Sequence, residues 1–133
     1  MALTQQEVIQ WVKHLQKESK EAYTTATDLY KSKRYHFALF FCHLAVEKII
    51  KAYHLLKHRV FALPIHDLIL LIKKSGFKTD EKNLEQLVEI NTFNIKARYE
   101  DYKREFYKKA TSGYAKEWIE ITSDLLKLMS KNP

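Results

Sequence analysis

Only two glycines and two prolines occur in 133 residues, and one of the prolines is the last residue. Glycine supplies left-handed backbone and proline interrupts hydrogen-bonded segments, so a chain this poor in both is restricted to long regular elements and few tight turns. Leu, Lys, Glu and Ala are abundant, and all four favour the helix. The expectation is an all-α protein.

The periodicity of the apolar residues places the helices. Thr4-Gln5-Gln6-Glu7 has the form of a capping box, which starts a first helix over about 5–31 with Val8, Trp11, Val12, Leu15, Ala22, Ala26, Leu29 and Tyr30 along one stripe. The joint KSKR permits a reversal. A second helix over about 34–58 carries Phe37, Phe41, Leu44, Ala45, Ala52, Leu55 and Leu56 on its core side, and its apolar load makes it the expected centre.

Pro64 forces a connection over 60–66, because it lacks a donor and pushes Leu63 out of helical geometry. Asp67 then caps a short third helix, LILLIKKS, that ends at Gly76. Thr79 or Asp80 opens a fourth helix through Leu84, Leu87, Val88 and Ile95, fading near Ala97. The densely charged stretch 98–113 reads as a loop or frayed helix. From Ser112, the residues Trp118, Ile121, Leu125, Leu128 and Met129 define a last helix. These elements make an up-and-down helical bundle of four long helices plus one short inserted helix, in a single domain over 1–133.

Composition narrows the class further. With 46% hydrophobic and 29% charged residues the chain reads as globular. Cys42 is the lone cysteine, which rules out an internal disulfide and points to a reducing compartment. The start MALTQQEV lacks the pattern of a signal peptide, and no apolar run approaches the roughly 20 residues that span a bilayer. The expected location is the cytoplasm, with no membrane partner. The net charge of +7 lies entirely within 32–79, where nine Lys and Arg face only Glu47 and Asp67. A surplus confined in this way suits phosphates or an acidic partner.

That basic region also holds a polar ridge. His43, Glu47, Lys51, His54 and His58 recur at helical spacing on the second helix, and form either a solvated, salt-bridged face or a phosphate-facing surface. His66-Asp67 reads as a helix start in which Asp67 caps and His66 bonds a neighbour. No zinc-type ligand set, phosphate-cradling glycine loop or Ser/His/Asp arrangement accompanies them, so neither a metal nor a cofactor is expected.

Three segments in order carry a resemblance to a known family. AVEKIIKAYHLL at 45–56, PIHDLILLI at 64–72 and IKARYEDY at 95–102 resemble the signatures of the HEPN domain, named for higher eukaryotes and prokaryotes nucleotide-binding. The resemblance implies a helical bundle that homodimerises, interacts with nucleotide or RNA, and is paired with a minimal nucleotidyltransferase, in some cases as toxin and antitoxin. It implies a nucleotide-, RNA- or partner-binding surface from His43, Glu47, Lys51, Arg98, Tyr99, Asp101 and Tyr102. Tyr99 or Tyr102 is the candidate for adenylylation by the partner, and Arg98 could instead pair with Glu47.

Active members of the family are metal-independent ribonucleases with an Arg, four to six residues, then a His. In this sequence Arg98 occupies the arginine position, and no histidine follows it. Arg59 and His66 satisfy the spacing elsewhere, across the proline-containing connection. The expected function is therefore that of the non-catalytic or toxin-like partner of a nucleotidyltransferase. The alternative is a metal-independent ribonuclease with a non-standard site built from Arg59 and His66, so enzymatic activity stays open.

Overall fold

The computed structural model describes residues 2–94 and 100–131, with only the backbone of 100–102. Every regular element among them is helical: α1 (Gln5–Lys31), α2 (Tyr35–His58), α3 (Leu68–Ser75), α4 (Glu81–Asn91), α5 (Glu100–Lys109) and α6 (Ser112–Met129).

The helix starts are local chemistry. The Thr4 hydroxyl accepts the Glu7 amide at 3.1 Å, and the Glu7 carboxylate accepts the Thr4 amide at 3.0 Å, which closes the capping box. Asp67 accepts the amides of Ile69 and Leu70, Asp80 that of Asn83, and Thr111 that of Tyr114. The helix ends differ from the rule that glycine supplies the left-handed residue. Gly76 does so after α3 at φ 78°, but Lys33 (φ 63°) and Arg59 (φ 59°) do it after α1 and α2. Around Lys33 the amide of Arg34 reaches the Leu29 carbonyl and that of Lys33 reaches Tyr30, a Schellman arrangement that reverses the chain within three residues.

α1 and α2 form a tightly packed hairpin, α6 lies along both, and α3 and α4 cover another side of α2. Small residues permit the close approach: Ala22 and Ala26 of α1 and Ala38, Ala45 and Ala52 of α2 are all buried, and the buried Ser19 hydroxyl donates to the Ala45 carbonyl at 2.7 Å. The buried stripe of α2 runs through Ala38, Cys42, Ala45, Ile49 and Ala52. The expected stripe is met at Ala45, Ala52 and Leu55, but toward the start of the helix the buried positions lie one residue on from Phe37, Phe41 and Leu44. Phe37 is exposed, and Phe41 and Leu44 are half-buried, because α2 is enclosed by α1, α3, α4 and α6 and its inner arc is centred where the small residues let neighbours approach. Trp11 and Val88 are likewise exposed, Trp11 packing edge-on against Phe61 at 5.4 Å.

The chain after α3 departs most from expectation. α4 stops at Asn91, not near Ala97, closed by the Thr92 amide and hydroxyl on the Glu89 carbonyl. The stretch expected as a loop or frayed helix contains α5. Its ten residues are too few to hold a helix in isolation. Tertiary contacts hold it instead: Phe106 is buried against Phe93, which also meets the rings of Tyr114 and Trp118, and the Lys109 ammonium sits 2.6 Å from Glu89. The Tyr114 hydroxyl donates to the same carboxylate, so Glu89 ties α4, α5 and α6 together. Burial raises the Glu89 pKa, but the hydrogen bonds from Lys109 and Tyr114 outweigh it and hold the group below its ordinary value.

Candidate functional site

Phe40, His43, Leu44 and Glu47 follow one another at the i, i+3, i+4, i+7 positions of α2, and all four line one cleft. The connection before α3 brings His66 over it and the residue after the α4 turn brings Asn94, leaving a space of about 440 Å³.

Glu47 organises the polar side of this cleft. It is nearly fully buried, and both of its oxygens are engaged: Oε1 accepts from His66 Nδ1 at 2.9 Å and Oε2 from the Lys51 ammonium at 3.0 Å. His43, also buried, lies with Nδ1 3.9 Å from Oε1, while its Nε2 is 3.0 Å from the His66 backbone carbonyl. A carbonyl oxygen can only accept, so His43 Nε2 carries the proton. Burial lowers the His43 pKa most; the Glu47 charge and the bond to the carbonyl push the other way without overcoming it.

The same reasoning orients His66. Its Nδ1 must donate to the carboxylate, so in the neutral ring Nε2 carries the lone pair. The side chain of His66 is 67% exposed whereas that of Glu47 is 3% exposed, so a buried carboxylate holds a solvent-facing imidazole in one tautomer and orientation. The backbone around His66 is held as well. His43 fixes its carbonyl, Asp67 caps α3, and the Asn91 amide oxygen accepts the Leu68 amide at 2.9 Å while its nitrogen faces Asp67.

The structure therefore brings together His43, Glu47, Lys51 and His66. The upper part of the polar ridge is thus buried beneath the connection to α3, not solvated. The lower part braces the bundle instead. His58 Nε2 donates to the Ser75 carbonyl at 2.8 Å and Lys57 to that of Gly76 at 3.2 Å, clamping the C-terminal end of α3. His54 packs on the His58 ring, with its Nδ1 buried and without a hydrogen-bond partner among the described residues. Arg59 is exposed at the left-handed turn and does not line the cleft. Arg98 and Tyr99 lie outside the described residues, and the side chains of Asp101 and Tyr102, in the first turn of α5, are not described. The described partners of Glu47 are thus Lys51, His66 and His43, and its pairing with Arg98 falls outside the described residues.

Sequence reasoning missed Phe40 and Asn94. The spacing of Phe40 from His43 and Glu47 was a usable signal; Asn94, brought in by the turn after α4, left none. Among the described residues no group of three or more His, Cys, Asp or Glu side chains could hold a metal ion. No helix among them is long and apolar enough to cross a membrane.

A bundle that is all-helical among the described residues, whose central helix carries a buried Glu47–His43 pair with Lys51 part-buried beside it, met by a His-Asp-Leu helix start, defines the class of protein. The family model of the HEPN domain matches residues 12–132, and the chain belongs to that family. Comparison with curated proteins and with solved structures gave no match. Membership associates the chain with nucleotide- or RNA-related function.

Proposed function

We propose that this chain is a single-domain, homodimeric nucleotide- or RNA-interacting protein that acts as the non-catalytic or toxin-like partner of a minimal nucleotidyltransferase. The observation that carries the binding reading is the cleft. Lys51 and His66 satisfy the Glu47 carboxylate, so the acid in the cleft is offset. The open surface then consists of the His66 imidazole, the Asn94 amide and the Phe40 and Phe41 rings, which suit a phosphate edge and a base face. The surplus of positive charge within 32–79 draws an anionic ligand toward it. Arg98, Tyr99, Asp101 and Tyr102 join the binding residues in this reading on the family resemblance, and the nucleotidyltransferase and the dimer rest on family membership.

Calorimetric titration with mononucleotides and a short unstructured RNA tests it. Lys51→Ala, His66→Ala and Arg98→Ala weaken binding while the helical circular dichroism is retained. Unchanged affinity in all three folded variants overturns the reading. Purification from the native cell without a nucleotidyltransferase removes the partner.

The Glu47–His66 pair favours a second reading, a metal-independent ribonuclease. His66 Nε2 would take the proton of an RNA 2′-hydroxyl, whose oxygen attacks the adjacent phosphorus and expels the 5′-oxygen, with Arg98, the family's arginine position, as the cation that faces the phosphorane charge. Incubation with mixed RNA in EDTA decides this: cleavage lost in both His66→Ala and Glu47→Gln supports it. No cleavage by the unaltered protein, or equal cleavage by His66→Ala, removes it.

A further inference from the structure

On the other side of α2 a second recess opens between α1, α2 and α6, with a volume of about 630 Å³. Glu47 and Ile49 are two residues apart, roughly 200° around the helix, so the cleft and this recess occupy opposite flanks of α2. Ile49 and Leu126 form its apolar floor, and the half-buried Tyr23 ring packs on the core at its wall.

The polar groups around this floor divide into donors that the protein uses and donors without a partner among the described residues. Ser19 and Ser130 spend their hydroxyls on the carbonyls of Ala45 and Leu126. The Tyr23 and Ser123 hydroxyls make no hydrogen bond among the described residues, and neither Lys20 on α1 nor Lys127 on α6 has an acidic partner there. The other lysine on this α1–α2 face, Lys48, is by contrast paired with Glu18 at 3.6 Å. Two unpaired ammonium groups on separate helices, with two free hydroxyls and an apolar floor, match a doubly charged oxyanion attached to a flat apolar body.

We infer that this recess is a binding site for a small organic phosphate ester, its phosphate held between Lys20 and Lys127 and its apolar part against Tyr23, Ile49 and Leu126. The site is independent of the Glu47 cleft and of the function proposed for it.

Phenyl phosphate is the probe, followed by amide chemical-shift changes in NMR titration. The expected result is saturable binding with shifts centred on Tyr23, Ile49 and Ser123, weaker binding of inorganic phosphate, which lacks the apolar body, and weaker binding of benzoate, which carries one charge. Lys20→Gln/Lys127→Gln, both at exposed positions, should lower the affinity by about tenfold or more, the scale of losing a charge-assisted contact. Lys51→Ala and His66→Ala should leave the shifts at Tyr23 and Ser123 unchanged, whatever the probe does at the cleft, which separates the two sites. The inference is overturned by absence of saturable shifts at Tyr23 and Ser123, by an unaltered affinity there in the double lysine variant, by loss of those shifts in the Lys51 or His66 variants, or by benzoate binding there as tightly as phenyl phosphate.

Discussion

Replacing Glu47 by glutamine removes a charge and changes almost nothing else in shape. The carbonyl of the introduced amide can still accept from His66 Nδ1, but its nitrogen then faces the Lys51 ammonium, a donor opposite a donor where 3.0 Å now separates ammonium and carboxylate. Removing one partner of a buried ion pair costs about 3–5 kcal/mol. Lys51 is 17% exposed and can carry its ammonium to water on a flexible stem, so the cost falls to about 2 kcal/mol. An unfolding entropy of about 2.1 cal/mol/K per residue over 133 residues converts this into a fall in Tm of about 7 °C. Calorimetric melts of Glu47→Gln, Lys51→Met and the double variant make the measurement. Lys51→Met should cost at least as much, since it leaves the buried carboxylate with His66 as its hydrogen-bond donor, and the double variant should cost less than the sum by about 1 kcal/mol or more. A Tm change below about 2 °C for Glu47→Gln, or strictly additive costs, would refute the view that this pair is buried and coupled.

Three further outcomes follow from single residues. Lys33→Gly should raise stability by about 1 kcal/mol in urea denaturation, because the φ of 63° strains any side chain and the Schellman bonds need only the backbone. The folded pKa of His43 lies below its ordinary 6.5, so the unfolded chain binds the extra proton: stability is full above that value and declines as pH falls through it. His36 and His54 are shifted the same way, mainly by burial, so the His43 share is read as the shallower slope of His43→Gln between roughly pH 7.5 and 5.5; an identical slope in the variant contradicts it. Burial pushes the Cys42 thiol up to about 12 against a smaller opposing bond to Thr122, so an aromatic disulfide reagent should leave the folded protein untouched at mildly alkaline pH and react fully in denaturant.

The readable parts of this fold are those governed by neighbours in the chain. The Thr4–Glu7 box, the Asp67 and Asp80 caps and the Gly76 end each involve groups within a few residues of one another, and they stand where the sequence places them. Asp67 and His66 also behave as a helix start and a bonded neighbour, although the partner of His66, 19 residues back on α2, could not be read from spacing. The face of α2 was harder. Apolar residues surround most of that helix, so periodicity could not distinguish the arc meeting α1 and α6 from the arc left open as a cleft.

Few glycines and prolines and a 3.6-residue apolar period were enough to determine a helical bundle, its helix starts and the central place of α2, because caps and stripes are short-range physics. Tertiary structure alone decided that His43 and Glu47 are buried, since that depends on the 60–66 connection folding back over α2. It also decided that 100–109 is helical: the segment's own residues favour charge and solvent, and only Phe93, Glu89 and Tyr114, brought from other parts of the chain, give Phe106 and Lys109 something to hold.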